Sequence, residues 1–498
     1  MYLRQFFLPG LGHGSYLVGD ESAGVGAVID PRRDFDCYLS AAQEVGLSIA
    51  HVLETHTHND YVSGARELAA VTGAQVWASG ARGGAGLECA FSPLYDGAEV
   101  MVGDITLRAW ETPGHTPEHL AFVALEGDAG DAGDAGGAGG AGDTGDDAAP
   151  VAVFSGGSLM VGAAGRTDLT GERQTATLTR AQCDSIRRLL TLPDGTLVYP
   201  AHGGGSFCGG GGGASRWSTV GHERRTNPLA RAADRNDPDG FACELLDALP
   251  VIPAYWSRMR PLNRRGPTPL AHLGAAGHGG ILPPLALSPE RVRELLDQDA
   301  VCVDTRDPAA YGGAHIPRSF SVGLGDSFGI WVGSVVPEDR PLVLVLPQAE
   351  GGAPDALAQA WSQAVRQLLR AGYDRVAGYL EGGLRAWSVA GLPFDHLPQL
   401  DARDAHAHAQ NGAWRILDVR QPREWFGGHA RGALHVPGAD LPRRLDELEK
   451  DTRWLVVCST GYRSAIAASL LRRAGHRHVA NVLGGMSAWQ AAHLPTER

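Results

Sequence analysis

Two short runs in this chain carry the residue types that do chemistry. The first is Thr55-His56-Thr57-His58-Asn59-Asp60-Tyr61. Two histidines two apart, with an acid two further on, can point at one ion from a strand end or tight turn, and neutral imidazole is the commonest metal ligand. The run closes on a phenol, Tyr61. Asp30 precedes it, and His115 (in Thr112-Pro113-Gly114-His115-Thr116) and His202 (in Tyr199-Pro200-Ala201-His202-Gly203) follow it. A lone histidine is more often structural than a ligand. Four in this order, each read at a strand end, point to a metal.

The second run is Leu455-Val456-Val457-Cys458-Ser459-Thr460-Gly461-Tyr462-Arg463-Ser464-Ala465. It reads as a buried strand, a loop and a helix start, with Cys458 at the carboxyl end of the strand, where open α/β sheets carry their chemistry. A loop whose N–H groups turn inward at a helix N-terminus forms an anion nest, which favours thiolate over thiol. Cys458 is therefore expected to be a nucleophile. Ser459, Thr460, Gly461, Tyr462 and Ser464 would form the substrate loop, with Arg463 offering a cation and a fork of donors to an anion. Four residues separate Cys458 from Arg463, a tighter ring than a phosphate cradle and better suited to a persulfide sulfur.

The elements that must hold these runs alternate between strand and helix. Strands are expected at 15–18, 25–29, 49–53, 106–110, 120–125 and 151–154, and a helix over 35–45. Between the last two strands, residues 127–149 are almost only Gly, Ala and Asp. Such a stretch buries too little apolar surface to order itself and reads as a disordered, solvated acidic loop. Residues 246–281 are rich in Pro and Gly and read as a linker. An internal repeat follows. Asp304 and Asp418 each precede a histidine by eleven residues (His315, His429), and each copy closes on a Gly-Gly-x-x-Ala-Trp ending. Two copies imply two consecutive α/β domains of one fold. The expected division is 1–245, linker 246–281, 282–396 and 397–498. In the middle copy no cysteine or arginine marks the loop after Leu342–Leu346, so that domain is expected to be silent, with Cys302 in its core.

With 498 residues the chain is too long for one core. Its formal net charge of −13 argues against nucleic acid or an anionic membrane as partner. No apolar run is long enough to span a bilayer. The seven cysteines are odd in number and scattered, which is no disulfide framework. With no secretory leader legible, a cytoplasmic protein is expected.

Around Cys458, the segment with Asp418-Val419-Arg420 and Gly428-His429 resembles the rhodanese family of sulfurtransferases. The resemblance implies a Cys458 persulfide passed to a thiophilic acceptor. The N-terminal stations, with Gly165-Arg166-Thr167-Asp168, His202-Gly203-Gly204-Gly205-Ser206-Phe207-Cys208 and Glu223-Arg224-Arg225-Thr226-Asn227-Pro228, resemble the metallo-β-lactamase fold. Within it they look most like persulfide dioxygenases fused to rhodanese domains. The implied architecture is an αββα sandwich followed by two rhodanese-like α/β domains. Two departures stand out: Gly157 occupies the place of a metal-bridging Asp, and Tyr61 that of a second-site His. The resemblance then leaves a single-ion site at His56, His58 and His115, with Asp60 and His202 as weaker ligands. Fe(II) is the expected ion, with Zn(II) as the alternative. Cys208 is read with equal weight as an exposed thiol carrying persulfide to that ion or as an incidental loop residue.

Three readings follow. The first is a persulfide dioxygenase and sulfurtransferase acting on glutathione-like persulfides, with sulfite or thiosulfate as product or substrate. The second is a sulfurtransferase with a metal-poor scaffold, and the third a zinc thiolester hydrolase of the glyoxalase II type. Whether the chain forms a homo-oligomer stays open.

Overall fold

The computed structural model describes residues 1–81, 87–126, 149–209, 215–273, 282–348 and 354–498. The acidic segment 127–148 lies outside them. Ala149 already belongs to a strand. The chain divides into two units, one of Met1–Leu249 with Arg258–Pro269 and the other of Pro250–Ser257 with Leu270–Arg498.

The first unit is built on two six-stranded sheets. One runs β1 (Tyr2–Leu8), β2 (His13–Asp20), β3 (Val25–Ile29), β4 (Ser48–Leu53), β5 (Gln75–Ser79), β6 (Ser92–Leu94) in spatial order. The other uses β7 (Glu99–Val102), β8 (Ile105–Glu111), β9 (Leu120–Glu126) and β10 (Ala149–Gly156). After the hairpin β11 (Leu159–Met160) and β12 (Ala163–Ala164) come β13 (Leu197–Pro200) and β14 (Ser218–Thr219), giving the order β14-β13-β10-β9-β8-β7.

Strand β9 shows why the layers form. Successive side chains of a strand point to opposite faces. Leu120, Phe122 and Ala124 enter the core between the sheets, with Tyr16, Ile29 and Leu53 from the facing sheet. Ala121, Val123 and Leu125 face the other way, onto Ile186 and Leu189 of helix Glu172–Leu189, and Leu229, Ala233 and Phe241 of helices Pro228–Asp234 and Pro238–Asp247. A strand covered on both faces reads as a continuous apolar run. Helix Ala65–Thr72 packs on β4 and β5, closing the αββα sandwich. Truncating Phe122, which is fully buried, should cost about 3–5 kcal/mol.

Strands β3, β4, β5 and β6 run parallel, so their carboxyl ends share one edge. Asp30 follows β3 there and the His56 run follows β4.

The second unit holds two five-stranded parallel sheets of matching order. In the first, β15 (Val301–Asp304) pairs with β16 (Leu342–Val345), placing Asp304 opposite Val345. In the second, β17 (Arg415–Asp418) pairs with β18 (Trp454–Val457), placing Asp418 opposite Val457. The repeated histidines are structural in both copies. His315 stacks on Tyr311 and His429 on Trp425, each four residues earlier, and each ring donates from Nδ1 to that residue's carbonyl.

The expected linker is partly folded. Helix Trp256–Arg265 forms within it despite Pro261 inside, and residues 258–269 belong to the first unit. Among the described residues no helix is long and apolar enough to cross a membrane.

Candidate active sites

The histidine cluster is assembled from four strand ends, those of β3, β4, β8 and β13. Asp30 leaves β3 with a positive φ of 51°, a strained conformation for a non-glycine residue that persists where its surroundings fix it. Its carboxylate accepts from the Thr55 N–H at 2.7 Å and the Thr55 hydroxyl at 2.8 Å. A hydroxyl has one proton. With that proton on Asp30, Thr55 Oγ1 accepts from His56 Nδ1, 2.9 Å away. His56 thus presents an unprotonated Nε2, which lies 3.4 Å from His202 Nε2.

The same reasoning fixes the neighbouring rings. His115 Nδ1 donates to the Arg166 carbonyl at 2.7 Å, so its Nε2 carries the lone pair, and that atom is buried without a partner. His58 Nε2 lies 3.2 Å from Asp30 and 3.3 Å from Glu54, which turns its unpartnered Nδ1 toward the cluster. His202 Nδ1 faces Asp60 at 3.4 Å. Carboxylates and carbonyls behind the rings are the usual way of setting the tautomer of a metal-binding histidine.

Burial, reinforced by His58 and His115, holds His56 well below the ordinary histidine range. Burial and His202 lower His115 to about 3. Both are neutral, as ligands must be. Burial alone would lower His58 too, but Asp30 and Glu54 outweigh it and raise it to about 10. Burial would raise Asp60, yet His202 and His58 bring it below the usual carboxylate range.

Ligand atoms of His56, His58 and His202 lie within 4.8 Å of one another, as do those of His115, His202 and Cys208. The buried, unprotonated Nε2 atoms of His56 and His115, grouped with His202, fit a divalent metal ion, and His58 joins them on losing its Nδ1 proton. His202, the weaker candidate from sequence, is common to both groups. Tyr61 is not a ligand here: its hydroxyl donates to the Asp30 carbonyl at 3.2 Å and its ring packs on His13 and His58.

The expected hole at Gly157 is filled. A Cβ there would stand 2.2 Å from Cδ2 of His115. The Gly157 N–H donates to His119 Nε2 at 2.8 Å, so His119 donates from Nδ1 to Thr112 and stacks on His56. Sequence reasoning gave His119 no role.

Cys208 corrects an expectation. It is 1 % exposed, and burial pushes its thiol well above the ordinary range; an exposed persulfide carrier does not fit that position. Other residues missed from sequence hold the cluster from outside. Glu118 accepts from the Thr57 N–H and from Arg260, and Asn263 clamps the loop His58–Ser63. A cavity of about 560 Å³ adjoins His56 and His58, lined also by Arg66, Cys89 and Glu118.

In the second unit, Cys458 directly follows β18 (Trp454–Val457). Its Sγ accepts from the Gly461 N–H at 3.1 Å and from the Ser464 hydroxyl at 3.4 Å, at the N-terminus of helix Tyr462–Arg473. Gly485 (φ 51°) crosses behind the loop, where a Cβ would meet the Cys458 carbonyl oxygen at 2.2 Å. Arg463 departs from expectation. Its fork is occupied by Glu424, with Nη1 and Nη2 each 2.7 Å from a carboxylate oxygen, and Nη2 also reaches Ser459 Oγ at 2.8 Å. Burial works against ionisation of Glu424, but Arg463 and Ser459 lower it to about 2. Arg463 thus braces the loop as half of an ion pair. Tyr462 donates to the Gly323 carbonyl of the preceding domain at 2.9 Å.

The middle domain carries Leu346 where the strand register puts Cys458. Its Arg306 bonds to Asp304 and the Ala314 carbonyl as Arg420 bonds to Asp418 and the Gly428 carbonyl. The frame is kept and the nucleophile is absent. A cavity of about 340 Å³ marks the place, lined by Arg306, Gln348 and Arg385 among others. Cys302 lies buried in that domain's core.

The metallo-beta-lactamase superfamily model matches residues 9–202, and the rhodanese-like domain model matches 288–390 and 401–492. Thiosulfate sulfurtransferase GlpE of Vibrio cholerae is 32% identical over 103 residues, covering 21% of this chain and 97% of that protein. Hydroxyacylglutathione hydrolase of Rhodospirillum rubrum is 32% identical over 189 residues, 38% of this chain; the chain spans only 60% of that relative's length. A crystal structure titled metallo-beta-lactamase from Staphylococcus aureus subsp. aureus COL matches with a TM-score of 0.61 at 28% identity, covering 76% of this chain and 98% of that one. The two buried sites thus sit in known frames: residues 9–202 form a metallo-beta-lactamase domain, and the chain belongs to the rhodanese family through the two domains of its second unit.

Proposed function

We propose that the chain is an enzyme of sulfane-sulfur metabolism that oxidises a low-molecular-weight persulfide to sulfite in its first unit and moves sulfur through Cys458 in its second. The observation that carries this reading is the covalent union of a rhodanese loop, with Cys458 in a nest of donors, and a buried cluster of imidazoles. Tethering raises the concentration of one site's product at the other.

At Cys458 the thiolate attacks the outer sulfur of thiosulfate. The sulfur–sulfur bond of the donor breaks, sulfite leaves with the electron pair, and a Cys458 persulfide remains. A thiol or sulfite then takes the outer sulfur and restores the thiolate. The Gly461 N–H and the Ser464 hydroxyl stabilise the anionic sulfur, and the Glu424–Arg463 pair keeps the loop closed around it. In the first unit, persulfide, dioxygen and water give thiol, sulfite and two protons. Sulfite and a second persulfide then give thiosulfate and thiol.

His56, His58, His115 and His202 would hold the ion, and Asp30, Glu54, Thr55 and the Arg166 carbonyl fix their rings. A ferrous ion bound there supplies the redox activation of dioxygen. The test is oxygen uptake with glutathione persulfide on iron-reconstituted protein. Uptake no greater than that of His56→Ala would defeat the dioxygenase half. Cyanide-dependent turnover of thiosulfate should vanish in Cys458→Ser.

A second reading draws on the hydroxyacylglutathione hydrolase relative: a zinc thiolester hydrolase. It normally calls for two ions, and with Tyr61 bonded to the Asp30 carbonyl and Gly157 bare, Asp60 and His202 are what remain for the second. Two zinc ions per chain with thiolesterase activity would favour it.

A further inference from the structure

The loop that follows β13 is tightly built. The Gly203 N–H donates to Gly12, the Ser206 N–H to Gly203, and the Cys208 N–H to Ser206 Oγ. The Arg166 N–H donates to the Cys208 carbonyl and its guanidinium to the Phe207 carbonyl, while Asp168 holds that guanidinium from the other side. Cys208 is thereby fixed on a braced turn, as a site residue needs to be.

Where it is fixed matters. Its sulfur and the donor atoms of His115 and His202 lie within 4.8 Å of one another. The Nε2 of His115, on a side chain 1 % exposed, has no partner. A buried cysteine that merely packs is a small hydrophobe among apolar neighbours. This one stands among imidazoles, with Asp60, Arg166 and Asp168 near enough to act on its charge. Meanwhile position 157 offers no carboxylate, and the His115 ring has taken the space a side chain there would need. Imidazole ligands, being neutral, leave a divalent ion with its full charge inside a buried site. An anionic ligand lowers that charge, and a thiolate does so as a carboxylate would.

We propose that Cys208 is a ligand of the metal in the first unit, the thiolate supplying the negative charge that Gly157 cannot. Binding forms one metal–sulfur bond and releases the thiol proton to solvent; no oxidant or reductant takes part. The inference rests on the reading that the cluster holds a divalent ion, and it stands whether or not that ion activates dioxygen.

Cobalt(II) tests it without any assay of activity. Metal-free full-length Cys458→Ser protein is titrated with cobalt alone, beside the double variant Cys458→Ser/Cys208→Ser. The expected result is a near-ultraviolet thiolate-to-cobalt charge-transfer band that saturates near one equivalent. In the double variant the band is lost, while cobalt still binds through the histidines at least about tenfold more weakly. Cobalt bound without that band, or a band unchanged by Cys208→Ser, would overturn the proposal. Should Cys208→Ser fail to fold, X-ray absorption of the zinc-loaded Cys458→Ser protein decides. One sulfur scatterer at about 2.3 Å is expected, and a shell of nitrogen and oxygen alone refutes it. Failure of cobalt to bind at all would sink the metal reading itself, a separate outcome.

Discussion

Asn263 holds the carbonyl oxygen of His58 from 205 residues away, its Nδ2 donating at 2.8 Å. The same amide group reaches the Tyr61 carbonyl at 2.8 Å, and its Oδ1 accepts from the Ser63 N–H at 3.0 Å. Three bonds from one buried side chain thus set the path of the loop that carries His58 and Asp60. Asn263→Ala leaves these backbone groups buried and unpaired, at a cost of about 1–3 kcal/mol each before relaxation. The expected outcome is a lower melting temperature of the first unit and weaker metal retention on dialysis, with Cys458-dependent sulfur transfer unchanged. Equal metal retention in the variant and the wild type would refute this positioning role.

This contact also marks where sequence reading stops. The histidine stations are legible because each is local, a ligand-type residue at the end of an apolar strand. Asn263 and Arg260 are not, because their partners His58 and Glu118 are 205 and 142 residues distant and their own surroundings have linker composition. Pro261 reads as a breaker, yet helix Trp256–Arg265 forms around it. Cys208 lies in a glycine-rich stretch whose composition suggests exposure, and only the hydrogen bonds that its carbonyl accepts from Arg166 and its N–H donates to Ser206 Oγ show that the turn is closed. The absences at Tyr61 and Gly157 are plain in sequence. That Tyr61 turns to the Asp30 carbonyl, and that His115 moves into the space at 157, are facts of packing.

Arg463 and Glu424 couple the Cys458 loop to the helix Pro422–Phe426. Lysine cannot make the two parallel bonds that the guanidinium makes. Arg463→Lys should leave the domain folded but let the loop drift, and displacement of about 1 Å can cost roughly 100-fold in rate. The expected result is a large fall in kcat/KM for thiosulfate, matched by Glu424→Gln and not deepened in the double variant. Additive losses would show that Arg463 meets the substrate directly.

The same pair sets an acid limit. Glu424 sits at about 2 in the folded protein against an ordinary 4.5. A carboxylate lowered on folding stabilises the native state fully above its unfolded value and loses that contribution as pH falls toward its folded value. The stability difference between wild type and Glu424→Gln should therefore be constant above about pH 5 and shrink between about pH 4.5 and 2. Denaturant midpoints of the second unit across that range measure it. Glu424 is about one-third exposed, so added salt should reduce the difference. A difference that does not change with pH would remove the ion pair as its cause.

Restoring the missing carboxylate offers the sharpest contrast between sequence and structure. From sequence, Gly157→Asp returns the bridging ligand and should improve metal binding. In the structure the new Cβ would stand 2.2 Å from Cδ2 and 2.8 Å from Nε2 of His115. That ring is held by its Nδ1 bond to the Arg166 carbonyl, and the backbone N–H of His115 donates to Gln182 Oε1. To admit the side chain, His115 must break one of these or leave its rotamer, and such overpacking costs about 1–3 kcal/mol. The backbone at 157 is also committed, through its N–H to His119 and its carbonyl to Gln182. Gly157→Asp is therefore expected to melt lower than wild type and to hold less metal per chain, not more. Pairing it with His115→Ala should recover stability by emptying the contested space. A single Gly157→Asp variant that gained metal without loss of stability would show that the His115 ring yields readily, and that position 157 can still supply a ligand.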